Sequence, residues 1–386
     1  MIESSLQNSP RGDDEAVVRV LIQQPILPPY RLAVFRALSQ DPRLDVTFAY
    51  GDAHHDSALQ SVMKPEGLKV IPLKNHFPLP GQAALYQVGL LEAIREVSPD
   101  VLVLAFDPRE FGNFPAERAA RKAGKKVVWW GHGIRPRNRF RSLYAKIAKS
   151  SDATILYYPQ GKETLAELGV SQDKMFVAWN SIEVEEIADL GIPYSANRET
   201  ILCVGRMIPE KKVPLLVEGF TYASEKLGML AKLVIIGEGP DKARVEQLKS
   251  QSSVGDRIQI LGAMYNQTAL APYFNDSYVA VSTGYVGLSA VHCLAYGVPM
   301  LAADDEPHSP EIMALQEGVN SEFFRANSVE DLAKKLVEMK SNPERLAAYS
   351  EAGRAYALSM FSARGMANNI AEAILYAARQ GVSSPR

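Results

Sequence analysis

The feature that most restricts the fold of this chain is an alternation of short apolar runs with amphipathic stretches. The apolar runs are rich in β-branched residues, and amphipathic stretches such as 31–39 and 114–124 separate them. The first series of runs occupies 17–24, 46–50, 68–73, 101–106, 127–130, 153–158 and 175–179. Apolar strands that alternate with helices indicate a parallel sheet with helices on both faces.

The same alternation starts again after a polar, proline-containing segment at 191–200, which we interpret as a linker. Helices are predicted from about Val213 and from about Asp241. The apolar runs of this half lie at 201–205, 233–237, 258–262, 278–282 and 299–303, and three more helices are predicted at 328–340, 343–359 and 361–380. The pattern therefore predicts an α/β chain with two Rossmann-like domains.

Length and composition agree with this architecture. With 386 residues, the chain has room for two domains of ~150 residues each. The formal net charge of −2 gives no general attraction to nucleic acid, and two cysteines do not provide a disulfide framework. No stretch approaches the ~20 apolar residues of a membrane span. Residues 1–15 lack the apolar core of a signal peptide, so a disordered leader and a cytoplasmic location are expected.

The segment 201–220 carries two cations beyond a predicted strand. Arg206 directly follows the glycine that ends the strand, Lys211 follows within the same loop, and Pro214 stands where a first helical turn would begin. Ligands of open α/β sheets bind beyond the carboxyl ends of the strands, so both cations are predicted to face that crevice. A departing diphosphate needs such charge. The alternative is a surface loop with two solvated cations.

Two further glycine-rich turns follow predicted strands in this half. Gly237 would let the backbone approach a ligand closely, although a plain tight turn has the same pattern. Gly284 and Gly287 form a loop before a helix predicted at about 288–296, and the N–H groups at a helix start can bind phosphate. His292 lies in the first turns of that helix, where it either binds a ligand or packs as a hydrogen-bonded core residue.

The order of these segments resembles that of family-4 retaining glycosyltransferases. The matching stretches are VGRMIPEK, GEGP and LAYGVP, and the resemblance covers most of 200–325. It implies the GT-B fold, in which two Rossmann-like domains face a central cleft. It also implies that Arg206 and Lys211 contact the diphosphate of a nucleotide-sugar donor, and that backbone amides of Gly287 and Leu288 meet it.

The resemblance further implies how the chain divides. The N-terminal domain, on the acceptor side, is expected at 16–192. The C-terminal domain, which binds the nucleotide sugar, is expected at 193–360. The final helix, within 361–386, is expected to cross back onto the N-terminal domain.

The sequence departs from the family at two glutamates that seven residues separate. Counting back from LAYGVP puts these positions at Gly284 and His292, so neither carboxylate is present. The second family glutamate holds the nucleotide ribose, and a ring nitrogen of His292 is a candidate replacement. The first lies near the donor sugar, where Glu311 is a candidate substitute. A subset of bacterial surface-polysaccharide transferases has a similar glycine and histidine pattern.

In the first half of the chain, candidate residues follow predicted strands. Tyr30 and Arg31 stand at a helix entrance after two prolines, and Arg31 either binds an anionic acceptor group or belongs to a rigid connector. His132 lies between two glycines, and the resemblance implies that it touches the donor sugar and steadies an oxocarbenium-like transition state. Asp107 either orients an acceptor hydroxyl or caps the next helix. Asn180 matches a family position near the interdomain hinge.

A basic amphipathic stretch at 135–149 follows His132. Its cations are Arg135, Arg137, Arg139, Arg141, Lys146 and Lys149, interleaved with Phe140, Leu143, Tyr144 and Ile147. Such a helix either lies on an anionic membrane surface or is a solvated face. Polysaccharide acceptors usually ride on polyprenyl diphosphate, which favours peripheral contact with the inner membrane. No nucleic-acid-binding motif accompanies these cations, so no nucleic-acid partner is expected.

The sequence thus predicts a glycosyltransferase that moves a sugar from a nucleotide-diphosphate sugar to a glycan or polyprenyl-diphosphate-linked acceptor. No metal ion and no cofactor are expected, because Arg206 and Lys211 can neutralise the leaving diphosphate, and Asp304 with Asp305 suits a turn. The resemblance implies retention of configuration. Two alternatives stay open: a sugar-nucleotide epimerase of the same fold, and a non-catalytic nucleotide-sugar-binding protein.

Overall fold

The computed structural model describes residues 16–52, 61–79, 84–134 and 140–380. The first domain has the strands β1 (Val18–Ile26), β2 (Leu44–Gly51), β3 (Lys69–His76), β4 (Tyr86–Val88), β5 (Val101–Ala105), β6 (Lys126–Gly131), β7 (Ala153–Leu156) and β8 (Met175–Val177). They form one sheet in the order β4-β3-β2-β1-β5-β6-β7-β8. Neighbouring strands are parallel except for β4, which pairs antiparallel with β3.

The second domain contains another sheet, with strands β9 (Thr200–Val204), β10 (Lys232–Ile236), β11 (Ile258–Leu261), β12 (Ser277–Ser282), β13 (Met300–Ala303) and β14 (Ser321–Phe324). Their order is β11-β10-β9-β12-β13-β14, and every neighbouring pair is parallel. In such a sheet all carboxyl ends of the strands lie at one edge, where loops can meet a ligand.

Helices cover both faces of each sheet. They are α1 (Leu32–Ser39), α2 (Leu90–Val97), α3 (Asn113–Lys122), α4 (Arg141–Ser150), α5 (Pro159–Glu167), α6 (Val184–Leu190), α7 (Val213–Lys226), α8 (Lys242–Gln251), α9 (Gln267–Asn275), α10 (Ser289–Ala295), α11 (Val329–Lys340), α12 (Pro343–Met360) and α13 (Ala363–Arg379). Alternate residues of a strand point to opposite faces. Val20 and Ile22 therefore enter one buried cluster of the first domain, while Leu21 enters the other.

The final helix crosses back to the first domain. In α13, Met366, Ala367, Ile370 and Ile374 recur at helical spacing and are buried in the same cluster as Val34 of α1. The predicted crossover and the predicted pair of parallel-sheet Rossmann-like domains are thereby confirmed.

Packing around the hinge favours an earlier domain boundary than residue 192. Val184 and Ile187 of α6 are buried in a core cluster of the second domain, together with Leu202 of β9. The chain therefore joins the second domain soon after β8, and Asn180 lies at the crossing. Residues 1–15, on which the prediction of a disordered leader falls, lie outside the described residues.

Several short elements escaped the sequence analysis. β4 has three residues, too few for a periodic pattern, and β14 reads Ser-Glu-Phe-Phe, in which two polar residues interrupt the apolar signal. α9 contains Pro272, a residue that normally interrupts a helix. These elements form because neighbouring strands and helices complete them.

Candidate functional site

Three loops lock together at the carboxyl edge of the second sheet. They are the β9 loop (205–212), the β10 loop (237–241) and the glycine loop (284–288). A Cβ at Gly237 would lie 1.9 Å from the carbonyl oxygen of Gly205. The β9 and β10 loops therefore touch backbone to backbone, and the N–H of Met207 donates to the carbonyl of Glu238 at 2.8 Å. The close approach explains Gly237 without a ligand.

The glycine loop docks onto the β9 loop in the same way. A Cβ at Gly284 would lie 2.2 Å from the carbonyl oxygen of Glu210, so no side chain fits while the loops keep this contact. The N–H of Tyr285 donates to that carbonyl at 2.8 Å, and the hydroxyl of Thr283 donates to the carbonyls of Lys211 and Lys212 at 3.1 and 2.8 Å. A glutamate at position 284 is thus incompatible with this loop packing.

Lys211 carries a part-buried ammonium at the end of the β9 loop. Its side chain is part-buried, and its Nζ lies 5.5 Å from the centre of the Tyr285 ring. Burial lowers the pKa of Lys211, the charge of Arg206 lowers it further, and Cys203 and Glu311 are among the groups that oppose the shift. Lys211 forms no ion pair with any residue that the structure describes. A part-buried ammonium without a carboxylate partner favours a negatively charged ligand.

Arg206 and Ser289 share this edge with Lys211. All three side chains line one cavity at the ends of β9 and β12. Arg206 is exposed. The hydroxyl of Ser289 is buried and has no hydrogen-bond partner among the described residues. Sequence analysis did not single out Ser289, because an isolated serine at the start of an apolar helix carries no distinctive signal.

The backbone of the glycine loop supplies further donors. The N–H groups of Gly287 and Leu288 make no hydrogen bond to another described residue, while the carbonyls of both residues accept from the first turn of α10. α10 has seven residues, so its dipole is small, and individual amides rather than the helix as a whole would bind an anion.

His292 has structural partners that account for its presence. Its Nε2 lies 2.7 Å from the side-chain oxygen of Gln267, and its ring packs edge-on against Phe274 with centroids 4.9 Å apart. Because the amide oxygen only accepts, Nε2 carries the proton. Burial lowers the pKa of His292 to about 4. The ring is therefore neutral near pH 7 and does not replace the charge of the family glutamate; a ribose contact stays a prediction.

A hydrogen-bonded chain joins the two domains at the hinge. Arg31 Nη2 donates to Asn180 Oδ1 at 2.6 Å, and Asn180 Nδ2 donates to Glu311 Oε1 at 2.5 Å. All three side chains are buried. The other oxygen of Glu311 accepts from the hydroxyl of Ser309. These contacts weigh against a direct acceptor contact by Arg31 and against a sugar contact by Glu311, because both groups are already paired.

Aromatic rings surround Arg31 and extend to His132. The guanidinium carbon lies 5.5 Å from the centre of the Tyr30 ring and 5.3 Å from that of Tyr157, and the His132 ring meets Tyr157 at 4.6 Å, nearly perpendicular. Tyr30 also packs against the core of the second domain. His132 is exposed and directly follows β6.

Asp107 lies in a different part of the first domain. Its carboxylate pairs with Arg109, with Oδ2 and Nη2 2.5 Å apart, and it accepts from the Arg109 N–H at 2.9 Å. Asp107 thus closes the turn before α3. An acceptor contact by Asp107 stays a prediction.

A buried amide cluster lies next to this turn. Gln23 Nε2 donates to Glu110 Oε2 at 3.0 Å and to Gln87 Oε1 at 2.5 Å, and Asn113 Nδ2 donates to Glu110 Oε2 at 3.2 Å. Burial raises the pKa of Glu110 to about 8. Sequence analysis missed this cluster because its members come from separate elements and form no local motif.

The described part of the basic stretch forms α4. Ala145, Ile147 and Ala148 face the core, whereas Phe140 and Leu143 are exposed, as are the cations Arg141, Lys146 and Lys149. Tyr144 packs edge-on against Phe106, with centroids 5.1 Å apart. The remaining predicted cations, Arg135, Arg137 and Arg139, lie outside the described residues.

The described residues contain neither a cluster of potential metal ligands nor a membrane-spanning helix. Among residues 16–52, 61–79, 84–134 and 140–380, no group of three or more histidine, cysteine or acidic side chains is placed to hold a metal ion. In the same ranges, no helix has the length and apolar character needed to cross a bilayer. Asp304 Oδ1 accepts from the N–H groups of Asp305 and Ala326, as a turn-closing residue does.

Part of the chain is similar in sequence to known glycosyltransferases. Residues 191–356 match the family model described as Glycosyl transferases group 1. A curated relative, alpha-monoglucosyldiacylglycerol synthase of Acholeplasma laidlawii, is 26% identical over 273 residues, which are 69% of this chain and 66% of the relative.

Two solved structures resemble most of the chain. A glycosyltransferase from Rickettsia africae ESF-5 superposes with a TM-score of 0.73 at 15% identity, covering 95% of this chain and all of that one. Anabaena Alr3699/HepE in complex with UDP superposes with a TM-score of 0.67 at 14% identity, covering 92% of this chain and 99% of that one. These structures show that the fold is GT-B, and with the domain match they support a GT-B glycosyltransferase.

Proposed function

We propose that this protein transfers a sugar from a nucleotide-diphosphate donor to a glycan or lipid-linked acceptor, with retention of configuration and without a metal ion. The observation that carries the proposal is Lys211. A part-buried ammonium at the carboxyl edge of the second sheet lacks an ion-pair partner among the described residues and faces a cavity that it shares with Arg206. A diphosphate supplies the missing counter-charge.

The surroundings of Lys211 suit the departure of a diphosphate. Arg206 and Lys211 provide two positive charges, and the amides of Gly287 and Leu288 provide neutral donors. The buried Ser289 hydroxyl has no hydrogen-bond partner among the described residues. Donors that are fixed before the reaction stabilise charge as it develops on a leaving group. The glycine contacts that lock the three loops keep these donors in place.

In the proposed reaction, the bond between the anomeric carbon and the diphosphate oxygen breaks while the acceptor oxygen bonds to that carbon from the same face. The proton of the acceptor hydroxyl passes to the departing diphosphate oxygen. His132, exposed at the end of β6, would hydrogen-bond a sugar hydroxyl as positive charge grows on the ring. No separate protein base is needed.

The acceptor class follows from the first domain and from the relatives. The Acholeplasma laidlawii relative is named as a synthase of alpha-monoglucosyldiacylglycerol, which favours a lipid or lipid-linked acceptor here. Exposed Phe140, which directly precedes α4, and exposed Leu143 within it would insert at an anionic membrane surface, beside Arg141 and Lys146.

Donor use can be tested without knowing the acceptor. The purified protein would be incubated with UDP-, GDP- and ADP-sugars, and release of nucleoside diphosphate would be followed in EDTA. We expect slow release from one donor, because water can replace a missing acceptor hydroxyl. His132→Ala should bind the same nucleotide as the unaltered protein but lose most of this turnover.

The outcomes separate the alternatives. Binding without release, with or without lipid-linked acceptors, would favour a non-catalytic nucleotide-sugar-binding protein. Conversion of the donor to its epimer would favour an epimerase. Turnover that survives His132→Ala would exclude the proposed role of His132, and turnover abolished by EDTA would exclude the metal-free mechanism.

Membrane contact has its own test. Sedimentation with vesicles of phosphatidylcholine and phosphatidylglycerol should recover the protein in the pellet, and the double change Phe140→Ser with Leu143→Ser should reduce recovery. The matched change Val88→Ser removes an exposed apolar side chain from β4 instead and should have little effect. Equal loss in both proteins would contradict a specific role for α4.

A further inference from the structure

His308 joins the end of β13 to the glycine loop. It lies in the segment between β13 and Glu311, and no candidate role described above includes it. The N–H of Val286 donates to His308 Nδ1 at 3.1 Å, and His308 Nε2 lies 3.0 Å from the carbonyl oxygen of Ala303. The adjacent residue adds a second bond to the loop, because the Ser309 N–H donates to the Val286 carbonyl at 3.0 Å.

These contacts fix the state of the imidazole. A backbone amide can only donate and a carbonyl can only accept, so Nδ1 is unprotonated and Nε2 carries the proton. Burial lowers the pKa of His308, Lys211 lowers it further, and the Ala303 carbonyl and Glu306 oppose the shift. The neutral ring therefore prevails near pH 7 and keeps its Nδ1 lone pair for Val286.

The bond to Val286 lies directly before two backbone amides of the glycine loop. Gly287 and Leu288, whose N–H groups we assign to the donor diphosphate, come directly after Val286 in the glycine loop. On the other side of Val286, Tyr285 is bonded to Glu210. Val286 therefore lies between Tyr285, which contacts the β9 loop, and the amides of Gly287 and Leu288. His308 fixes this residue.

We propose that His308 is a positioning residue that holds the glycine loop so that its amides meet the donor diphosphate. The proposal rests on the proposed function, since it assumes that a nucleoside diphosphate binds at this edge. His308 itself need not touch the ligand. It acts through Val286. Position 308 must therefore supply a hydrogen-bond acceptor two bonds beyond Cβ for the Val286 N–H.

Two amide substitutions separate the two ring nitrogens. The oxygen of asparagine stands two bonds from Cβ, as Nδ1 does, so His308→Asn keeps the acceptor for Val286 and loses the donor to Ala303. The nitrogen of glutamine stands three bonds from Cβ, as Nε2 does, so His308→Gln keeps the donor and loses the acceptor. Each variant removes one bond, which makes them matched controls for each other.

Two measurements on the full chain test the proposal. Calorimetric titration with UDP, GDP and ADP would give the dissociation constant of the nucleotide that binds, and hydrogen exchange without nucleotide would report protection of the Val286 amide. We expect His308→Gln and His308→Ala to weaken nucleotide binding about tenfold, the equivalent of one hydrogen bond, and to speed exchange at Val286. His308→Asn should restore most of both.

The results are distinguishable from failure of the proposed function. Equal weakening in the asparagine and glutamine variants, or faster exchange with unchanged affinity, would overturn the positioning role while leaving nucleotide binding intact. If none of the three nucleotides binds even the unaltered protein, the proposed function fails, and the role of His308 in donor binding fails with it. The exchange data would then still report whether His308 fixes Val286.

Discussion

The carboxyl edges of the two sheets are shaped by different means. In the second domain, backbone meets backbone: Gly237 lies against Gly205, and Gly284 against Glu210. In the first domain, side chains fill the corresponding edge, with Gln23 and Glu110 at the centre of a buried amide cluster. Backbone contacts leave amides and cations available for an anion, whereas the amide cluster satisfies most of its own polar groups.

This difference suggests a division of labour across the cleft. The edge of the second domain carries the cations Arg206 and Lys211, and the edge of the first is polar with His132 exposed nearby. The two meet through Arg31, Asn180 and Glu311, which connect the domains by hydrogen bonds between buried side chains. Each feature can be changed separately.

The largest effect on nucleotide binding is expected where backbone meets backbone. Gly284→Ala places a methyl group where the Glu210 carbonyl lies, so the glycine loop must move away from the β9 loop. We expect a loss of about 1–3 kcal/mol in the free energy of unfolding and no detectable nucleotide binding. Thermal melting and calorimetry would measure both.

Gly287→Ala provides the control within the same loop. A Cβ there would meet its nearest atoms at 3.5 Å or more, which is ordinary contact. Its melting temperature should match that of the unaltered protein. Similar melting temperatures for both alanine variants would show that the close contact at Gly284 does not shape this edge.

The next largest effect is expected at the buried hydrogen bonds that join the two domains. Asn180→Ala leaves the buried Arg31 and Glu311 without their shared partner, which we expect to cost about 2–3 kcal/mol. Asn266→Ala is a matched control, because it removes only the cap of α9, worth about 1 kcal/mol. Equal losses in urea unfolding would mean that the interdomain chain contributes little.

The first domain should lose stability as the pH rises, because of Glu110. The pKa of Glu110 is raised from its ordinary value of 4.5 to about 8, so between these values the unfolded state ionises while the folded state stays protonated. Stability from this group is therefore complete below pH 4.5 and falls as the pH rises towards 8. Glu110→Gln should gain about 3 kcal/mol relative to the unaltered protein between pH 5 and 8. A constant difference in urea unfolding would argue against a protonated Glu110.

The second domain should instead lose stability as the pH falls, because of His292. The pKa of His292 is lowered from 6.5 to about 4, so the unfolded state takes up a proton first as the pH falls. Stability from the neutral ring is present above pH 6.5 and is lost progressively between 6.5 and 4. His292→Gln should retain about 2–3 kcal/mol more of its stability over this range. Parallel acid titrations of both proteins would contradict this assignment.

The contrast between the edges also explains what the sequence could predict. Arg206, Lys211 and the glycine loop follow strands directly, so strand position and local composition were enough to bring them to one edge. Gln23 and Glu110 are 87 residues apart, and only the order of the strands brings them together. No local pattern marks such a cluster.

For other residues, the sequence indicates where the side chain lies but not which groups it contacts. The sequence suggested an acceptor contact for Arg31 and a sugar contact for Glu311, but both side chains are buried and engaged with Asn180. Likewise, the sequence leaves Gly237 open to a close approach to a ligand or to a plain tight turn, and the structure explains it by contact with Gly205. Residue type and strand position predict where a side chain lies, but its partners depend on packing between distant segments.

The most direct test of the account is calorimetric titration of nucleoside diphosphates into proteins with Arg206→Ala and Lys211→Ala. Lys226→Ala, at the exposed end of α7, serves as the control for removing a cation from the same domain. We predict at least about a tenfold loss of affinity in each site variant and no change in the control. Unchanged affinity in both site variants would contradict the central claim that these two cations bind the donor diphosphate.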